Sequence, residues 1–151
     1  MMNANNVVRI ENVQNRIFTL RGVQVMLDKD LALFYGVKPI RLREQVKRNI
    51  KRFPYDFMFQ LTKEEVEIMV SQNAIPSKQH LGGSLPFVFT EQGVSAVSTV
   101  ITSERAIEVS IKIIRAFVQM RRFTALNTQV FQRLDSLETK QSETDKRLIK
   151  C

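Results

Sequence analysis

Residues 28–61 read DKDLALFYGVKPIRLREQVKRNIKRFPYDFMFQL. The pattern is a short helix, a turn, a strongly basic amphipathic helix, a proline stop and a strand. Asp28 is placed as the N-cap of KDLALFY, where Leu31, Phe34 and Tyr35 recur at three- and four-residue spacing. Gly36 supplies a left-handed stop, and Pro39 suits the first turn of a second helix. That helix is expected to run from Pro39 to Arg52, because Phe53 precedes Pro54 and is biased out of helical geometry.

Between Lys38 and Arg52 stand Lys38, Arg41, Arg43, Lys47, Arg48, Lys51 and Arg52, opposed only by Glu44, so this segment carries most of the chain's net charge of +8. At about 100° per residue, Leu42, Val46, Ile50 and Phe53 fall in a sector about 80° wide, and the cations spread over the other side. A face that only met water would mix acids with bases, since like charges four apart repel. Here Arg43–Lys47–Lys51 and Arg48–Arg52 are like-charged at that spacing, which phosphates would relieve.

Outward from this stretch, IFTLRGVQVML at 17–27 predicts a hairpin with Gly22 at a positive φ. FMFQL at 57–61 reads as a buried strand. Thr62 and Glu65 form a capping box for a helix ending near Gln72. Residues 73–84, with Pro76 and Gly82-Gly83, read as an exposed loop or hairpin tip. A strand resumes at 86–89, and Thr90 caps the helix after it. Phe53, Phe57, Phe59, Phe87 and Phe89 cluster around the two strands at alternate positions, the spacing of core residues rather than of a base-stacking platform. From an N-cap at Ser103 a long helical pattern carries a stripe of Ile107, Ile111, Ile114, Phe117 and Val118. Val109, Ile113, Ala116 and Met120 widen it, so it needs burial on two sides, in the domain or against a second chain. Asn127, Val130, Leu134, Leu137, Gln141, Thr144 and Leu148 make a weak heptad seam.

These elements predict an α+β fold: a small helix-turn-helix-like domain with short strands over residues 10–122. A flexible tail at 1–9 precedes it, and a helical extension at 123–151, a weak coiled coil, follows. With 151 residues and 44% hydrophobic content, a real core is affordable by composition. A net charge of +8 and a pI of about 10.0 favour polyanionic partners. No signal peptide and no membrane-length apolar run is present, so no membrane partner is expected. Cys151 is the only cysteine, which fits a reducing compartment and excludes internal disulfides and a thiolate zinc site. His80 is the only histidine, and no phosphate-loop signature follows Gly82-Gly83. No enzymatic activity, cofactor or metal is expected.

Three segments together, VMLDKDLALFYGV, LREQVKRNIKRFPYDFMFQLTKEE and LPFVFTEQGVSAVSTVITSERAIEVSIKIIRAFVQMR, resemble the phage-derived ORF-six-N-terminal domain, which is grouped with the KilA-N and Bro-N DNA-binding domains. The resemblance implies a small DNA-binding module of phages, prophages and bacteria, joined to a variable C-terminal region. It points at Val46, Lys47, Arg48 and Asn49, then at Arg52-Phe53-Pro54. Where relatives commonly carry Asn-Gln after Arg-Leu, this chain has Arg43-Glu44. The Arg often found just after the glycine pair is also missing.

The expected function is sequence-specific binding of double-stranded DNA by a homodimeric transcriptional regulator in the bacterial cytoplasm, associated with the nucleoid. The basic helix enters the major groove as the second helix of a helix-turn-helix. Arg41, Arg43 and Lys47 are the candidates for base edges, ahead of Gln45 and Asn49, which border the buried face. Lys38, Arg48, Lys51 and Arg52 are assigned to phosphate, and Arg21 at the hairpin tip to the backbone or a minor groove. The alternative is an antirepressor-type module whose partner is another phage or host regulatory protein.

Overall fold

The hairpin that opens the sheet turns on two left-handed residues, Arg21 at φ 53° and Gly22 at φ 74°. They form the two-residue loop whose twist matches paired strands. In this computed structural model, which describes residues 9–126 apart from 82 and 124, a short helix α1 (Ile10–Gln14) leads into β1 (Ile17–Leu20) and β2 (Val23–Leu27). Then come α2 (Asp28–Tyr35), α3 (Pro39–Arg48), β3 (Met58–Gln60), α4 (Lys63–Ser71), β4 (Phe87–Phe89) and α5 (Glu91–Val100). Residues 104–123 form α6. The expected tail (all but residue 9) and the heptad seam from Asn127 lie outside the described residues. The chain divides after Phe117, and the account below concerns the first unit.

The architecture is α+β, with one antiparallel sheet in the order β1-β2-β4-β3. Val88 faces Leu27 on one side and Phe59 on the other. Strand alternation puts Leu20, Val25, Leu27 and Val88 on one face, where they pack with Val66 and Met69 of α4. Met26 and Phe89, partners in register, point to the opposite face, and Phe89 meets the ring of Phe53 edge-on at 6.1 Å. Burying these apolar faces at about 25 cal/mol per Å² is the main driving force.

The sequence places most helix ends correctly, and local chemistry explains why. Thr62 and Glu65 complete the capping box. Thr90 accepts from the Gly93 amide, and Ser103 from the Ala106 amide. Gly36 at φ 70° closes α2, and the Val37 amide reaches back to the Ala32 carbonyl. That is the two-bond stop that glycine permits.

Five expectations are corrected. The basic helix ends at Arg48, not Arg52. The Asn49 side-chain amide donates to the Gln45 carbonyl at 2.8 Å, the acceptor that the Asn49 backbone amide would use in a continuing helix. A 3-10 turn, Ile50–Arg52, follows. Ile50 therefore leaves the apolar sector and is exposed. Asp28 is the first residue of α2 rather than its cap, and its carboxylate accepts from the Lys29 and Phe87 amides. The 73–84 loop is not wholly exposed. Asn73 at φ 62° ends α4, and Ala74 and Ile75 fold back into the core. Finally, α6 is rotated from the expected stripe. Ala106, Val109, Ile113, Ala116 and Phe117 are buried, whereas Ile107 and Ile111 are 53% and 45% exposed. The Tyr35 hydroxyl is 2.5 Å from the Ser110 hydroxyl, which joins α2 to α6 on that face. Burial pushes the Tyr35 phenol up to about 12.

Candidate nucleic-acid interface

A three-residue turn, Gly36–Lys38, joins α2 to α3, the connection a helix-turn-helix uses. Leu42 and Val46 anchor α3, both buried, and the helix packs against α2 and α5. Pro39 at its first turn has no amide to leave unpaired. With two apolar anchors facing inward, every cation of the helix is forced outward. Lys38, Arg41, Arg43, Lys47 and Arg48 are all exposed, as are Lys51 and Arg52 in the 3-10 turn. Among the described residues none of these seven is in a salt bridge.

Two of them have local partners. The Arg52 guanidinium donates to the Thr99 hydroxyl at 2.9 Å, which ties the 3-10 turn to α5. Arg43 makes a long bond of 3.5 Å from Nε to the Pro39 carbonyl and lies near enough to Asp28 to act on its carboxyl. Arg43 thus sits at the α2 side of the helix, beside a cleft of about 570 Å³ lined in part by Asp28, Asp30 and Leu33. Burial raises both carboxyls above the ordinary range, against the opposing pull of Arg43 on Asp28 and of Arg16 on Asp30.

Arg21 does not join the others. Its guanidinium makes two bonds to the Glu65 carboxylate, at 2.8 and 2.7 Å, and lies over the Phe59 ring at 4.2 Å. The forked pair commits Nε and Nη2 of the guanidinium to Glu65. Arg21 ties the hairpin to α4, and the expected contact from the hairpin tip would have to compete with that pair. Arg21 holds the Glu65 carboxyl down to about 2, from an ordinary 4.5. A depressed carboxylate stabilises the fold above its unfolded pKa, and that contribution fades as pH falls through its folded value. Glu65→Gln should cost about 1 kcal/mol at neutral pH, since the Arg21 side is partly exposed. Urea titrations of both proteins should converge as pH drops from about 4.5 toward 2. A gap independent of pH would contradict the pairing.

Sequence reasoning gave no role to two exposed residues on the outer side of α3: Ile40 was passed over, and Glu44 was noted only as the acid that opposes the basic run and as a departure from relatives. It also missed Tyr55, 86% exposed just after the basic turn. Behind that turn is a clasp. The Thr90 hydroxyl donates to the Asp56 carbonyl at 2.9 Å, and the Phe57 carbonyl accepts the Thr90 amide at 3.0 Å. Gly93 lies against the same carbonyl, so a Cβ there would stand 2.0 Å from the Phe57 oxygen.

The family model for the ORF6N domain matches residues 15–100, from just before β1 to the last residue of α5. No curated protein and no solved structure matches the chain. Among the described residues no helix is long and apolar enough to cross a membrane.

Proposed function

The chain belongs to the ORF6N domain family, and from that premise we propose that it binds double-stranded DNA sequence-specifically, as a phage- or prophage-related transcriptional regulator acting on the bacterial nucleoid. One observation carries the reading. A helix held by only two buried residues presents exposed cations without acidic partners, directly after a helix-turn-helix connection. Such a surface is electrostatically unfavourable in isolation and is relieved by a phosphate backbone.

Roles divide along the helix. Lys38, Lys51, Arg48 and Arg52 flank it at the ends and take phosphate, and Arg41, Arg43 and Lys47 reach base edges. Arg43→Ala should relax sequence preference and cost about 1–3 kcal/mol on the best site. Lys51→Ala should weaken all duplexes alike and reduce the salt slope by about one. Fluorescence anisotropy on a selected site and on a scrambled duplex separates the two. Equal, sequence-blind losses would mean that Arg43 only positions the protein.

We further propose a homodimer through the exposed side of α6. Ile107 and Ile111 leave an apolar strip open, flanked by exposed Glu108 and Arg115. Antiparallel pairing of two copies about Ile111 brings Glu108 of one beside Arg115 of the other. Two half-sites read together multiply specificity. Sedimentation should give a dimer at tens of micromolar for the full chain and a monomer for Ile107→Glu/Ile111→Glu. A monomeric wild type would contradict the pairing. The same open strip is what favours the second reading, an antirepressor that binds another regulatory protein. A stoichiometric complex with such a protein that survives high salt, without duplex binding, would support that reading instead.

A further inference from the structure

The direction in which α3 faces solvent most squarely is fixed by its anchors. At about 100° per residue, the point opposite Leu42 and Val46 is occupied by Glu44, with Ile40 and Arg48 within about 40° of it and Arg41 and Lys47 within about 60°. Arg43 lies about 100° away, on the α2 side, consistent with its pull on the Asp28 carboxyl. So the crest of the most basic element in the chain carries, among Arg41, Lys47 and Arg48, an acid and an isoleucine that is 59% exposed. Neither belongs on a surface built only to hold phosphate. Glu44 repels phosphate, and in this helix no cation forms a salt bridge with it among the described residues. Ile40 leaves a branched apolar side chain in water beside Pro39, at the first turn of the helix. Neither supports the fold by burial, because both are exposed.

The pattern has a simple chemical logic if Glu44 and Ile40 meet base edges together with Arg41, Arg43 and Lys47, while the cations at the ends of the helix meet backbone. The floor of the major groove offers two features that cations cannot read. The cytosine N4 amino group is a donor and asks for a carboxylate, and the thymine C5 methyl is apolar and asks for an alkyl side chain. A carboxylate at the crest also disfavours the N7 and O6 acceptors of guanine and the phosphates of a misplaced register, so it raises selectivity while lowering general affinity. The first helical turn is the part of such a helix that reaches deepest toward base edges.

We infer that Glu44 and Ile40 are specificity-determining residues: Glu44 accepts a hydrogen bond from a cytosine N4 amino group, and Ile40 packs on a thymine methyl at a neighbouring step. The inference rests on the proposed duplex binding and names which bases that site selects. It gives the two residues opposite signatures. Glu44→Gln removes a repulsive charge, so binding to unrelated duplex tightens, by about threefold to tenfold at low salt. Preference for the selected site meanwhile falls by about tenfold or more. Ile40→Ala leaves unrelated duplex binding unchanged and loses about threefold to tenfold on the selected site.

Selection from a random duplex pool with wild type, Glu44→Gln and Ile40→Ala tests this, followed by anisotropy on the winning site. A second arm replaces each thymine in the site by uracil, which deletes the methyl alone. The expected result is a cytosine preference lost in Glu44→Gln, and one thymine whose replacement weakens wild type but not Ile40→Ala. Both positions are exposed, and thermal melts of all three proteins show whether they fold alike. If the variants keep the wild-type preference, or if Glu44→Gln weakens unrelated duplex, the assignment is overturned while duplex binding itself stands. If wild type retains no duplex at low salt, the underlying reading fails first.

Discussion

Gly93→Ala should destabilise the protein by about 3–5 kcal/mol, the largest effect expected of any single methyl group added to this chain. The new Cβ would stand 2.0 Å from the Phe57 carbonyl oxygen and 3.3 Å from Cβ of Phe89. The first obstacle is backbone, so no rotamer change relieves it. That carbonyl also accepts the Thr90 amide, and Thr90 caps α5 by accepting the Gly93 amide. Moving α5 and its cap Thr90 away therefore breaks the bonds of Thr90 to the Phe57 and Asp56 carbonyls. Gly22 supplies the internal comparison. It has φ 74° and nothing within 4 Å of an added Cβ, so Gly22→Ala carries only backbone strain, about 1 kcal/mol. Thermal unfolding should place Gly93→Ala about 15 °C or more below wild type, with Gly22→Ala within several degrees of it. Equal midpoints for the two variants would show that α5 does not close on Phe57 as described.

The clasp also shows what could and could not be read from the chain. Periodicity, caps and glycine stops were legible because each acts within a few residues: Thr62 with Glu65, Thr90 with Gly93, Gly36 after Tyr35. The strands were legible from short apolar runs, but their assembly into one sheet in the order β1-β2-β4-β3 was not. What remained hidden depends on partners far along the chain. That Arg21 belongs to Glu65, 44 residues away, turns a free cation into a structural tie. The inward face of α6 includes Ser110, which meets Tyr35, 75 residues away. The stop at Arg48 is local, yet the periodicity and Pro54 place the end at Arg52, because neither marks the Asn49 side chain as a competitor for the Gln45 carbonyl. The candidate interface was legible as charge. Its outward crest was not, because locating Glu44 and Ile40 at the centre required knowing that only Leu42 and Val46 point inward.

The other large effect is electrostatic. If about five phosphates are neutralised by the helix and the turn after it, each releases condensed counterions, and log K falls with log salt at a slope of about −4 to −5. Affinity then drops by about several hundredfold between 50 and 200 mM salt. Arg21 contributes nothing to this slope, because its guanidinium is held by Glu65. Lys51, exposed and outside any salt bridge among the described residues, contributes about one unit. A reading based on protein partners predicts neither the slope nor its dependence on Lys51. The most direct measurement is therefore an equilibrium titration of a duplex, by fluorescence anisotropy, across that salt range with the full chain. A slope of about −4 to −5, unchanged by Arg21→Gln and reduced by about one in Lys51→Ala, is the predicted result. A flat salt dependence, or no retention of duplex at low salt, would contradict the assignment of this basic helix to DNA.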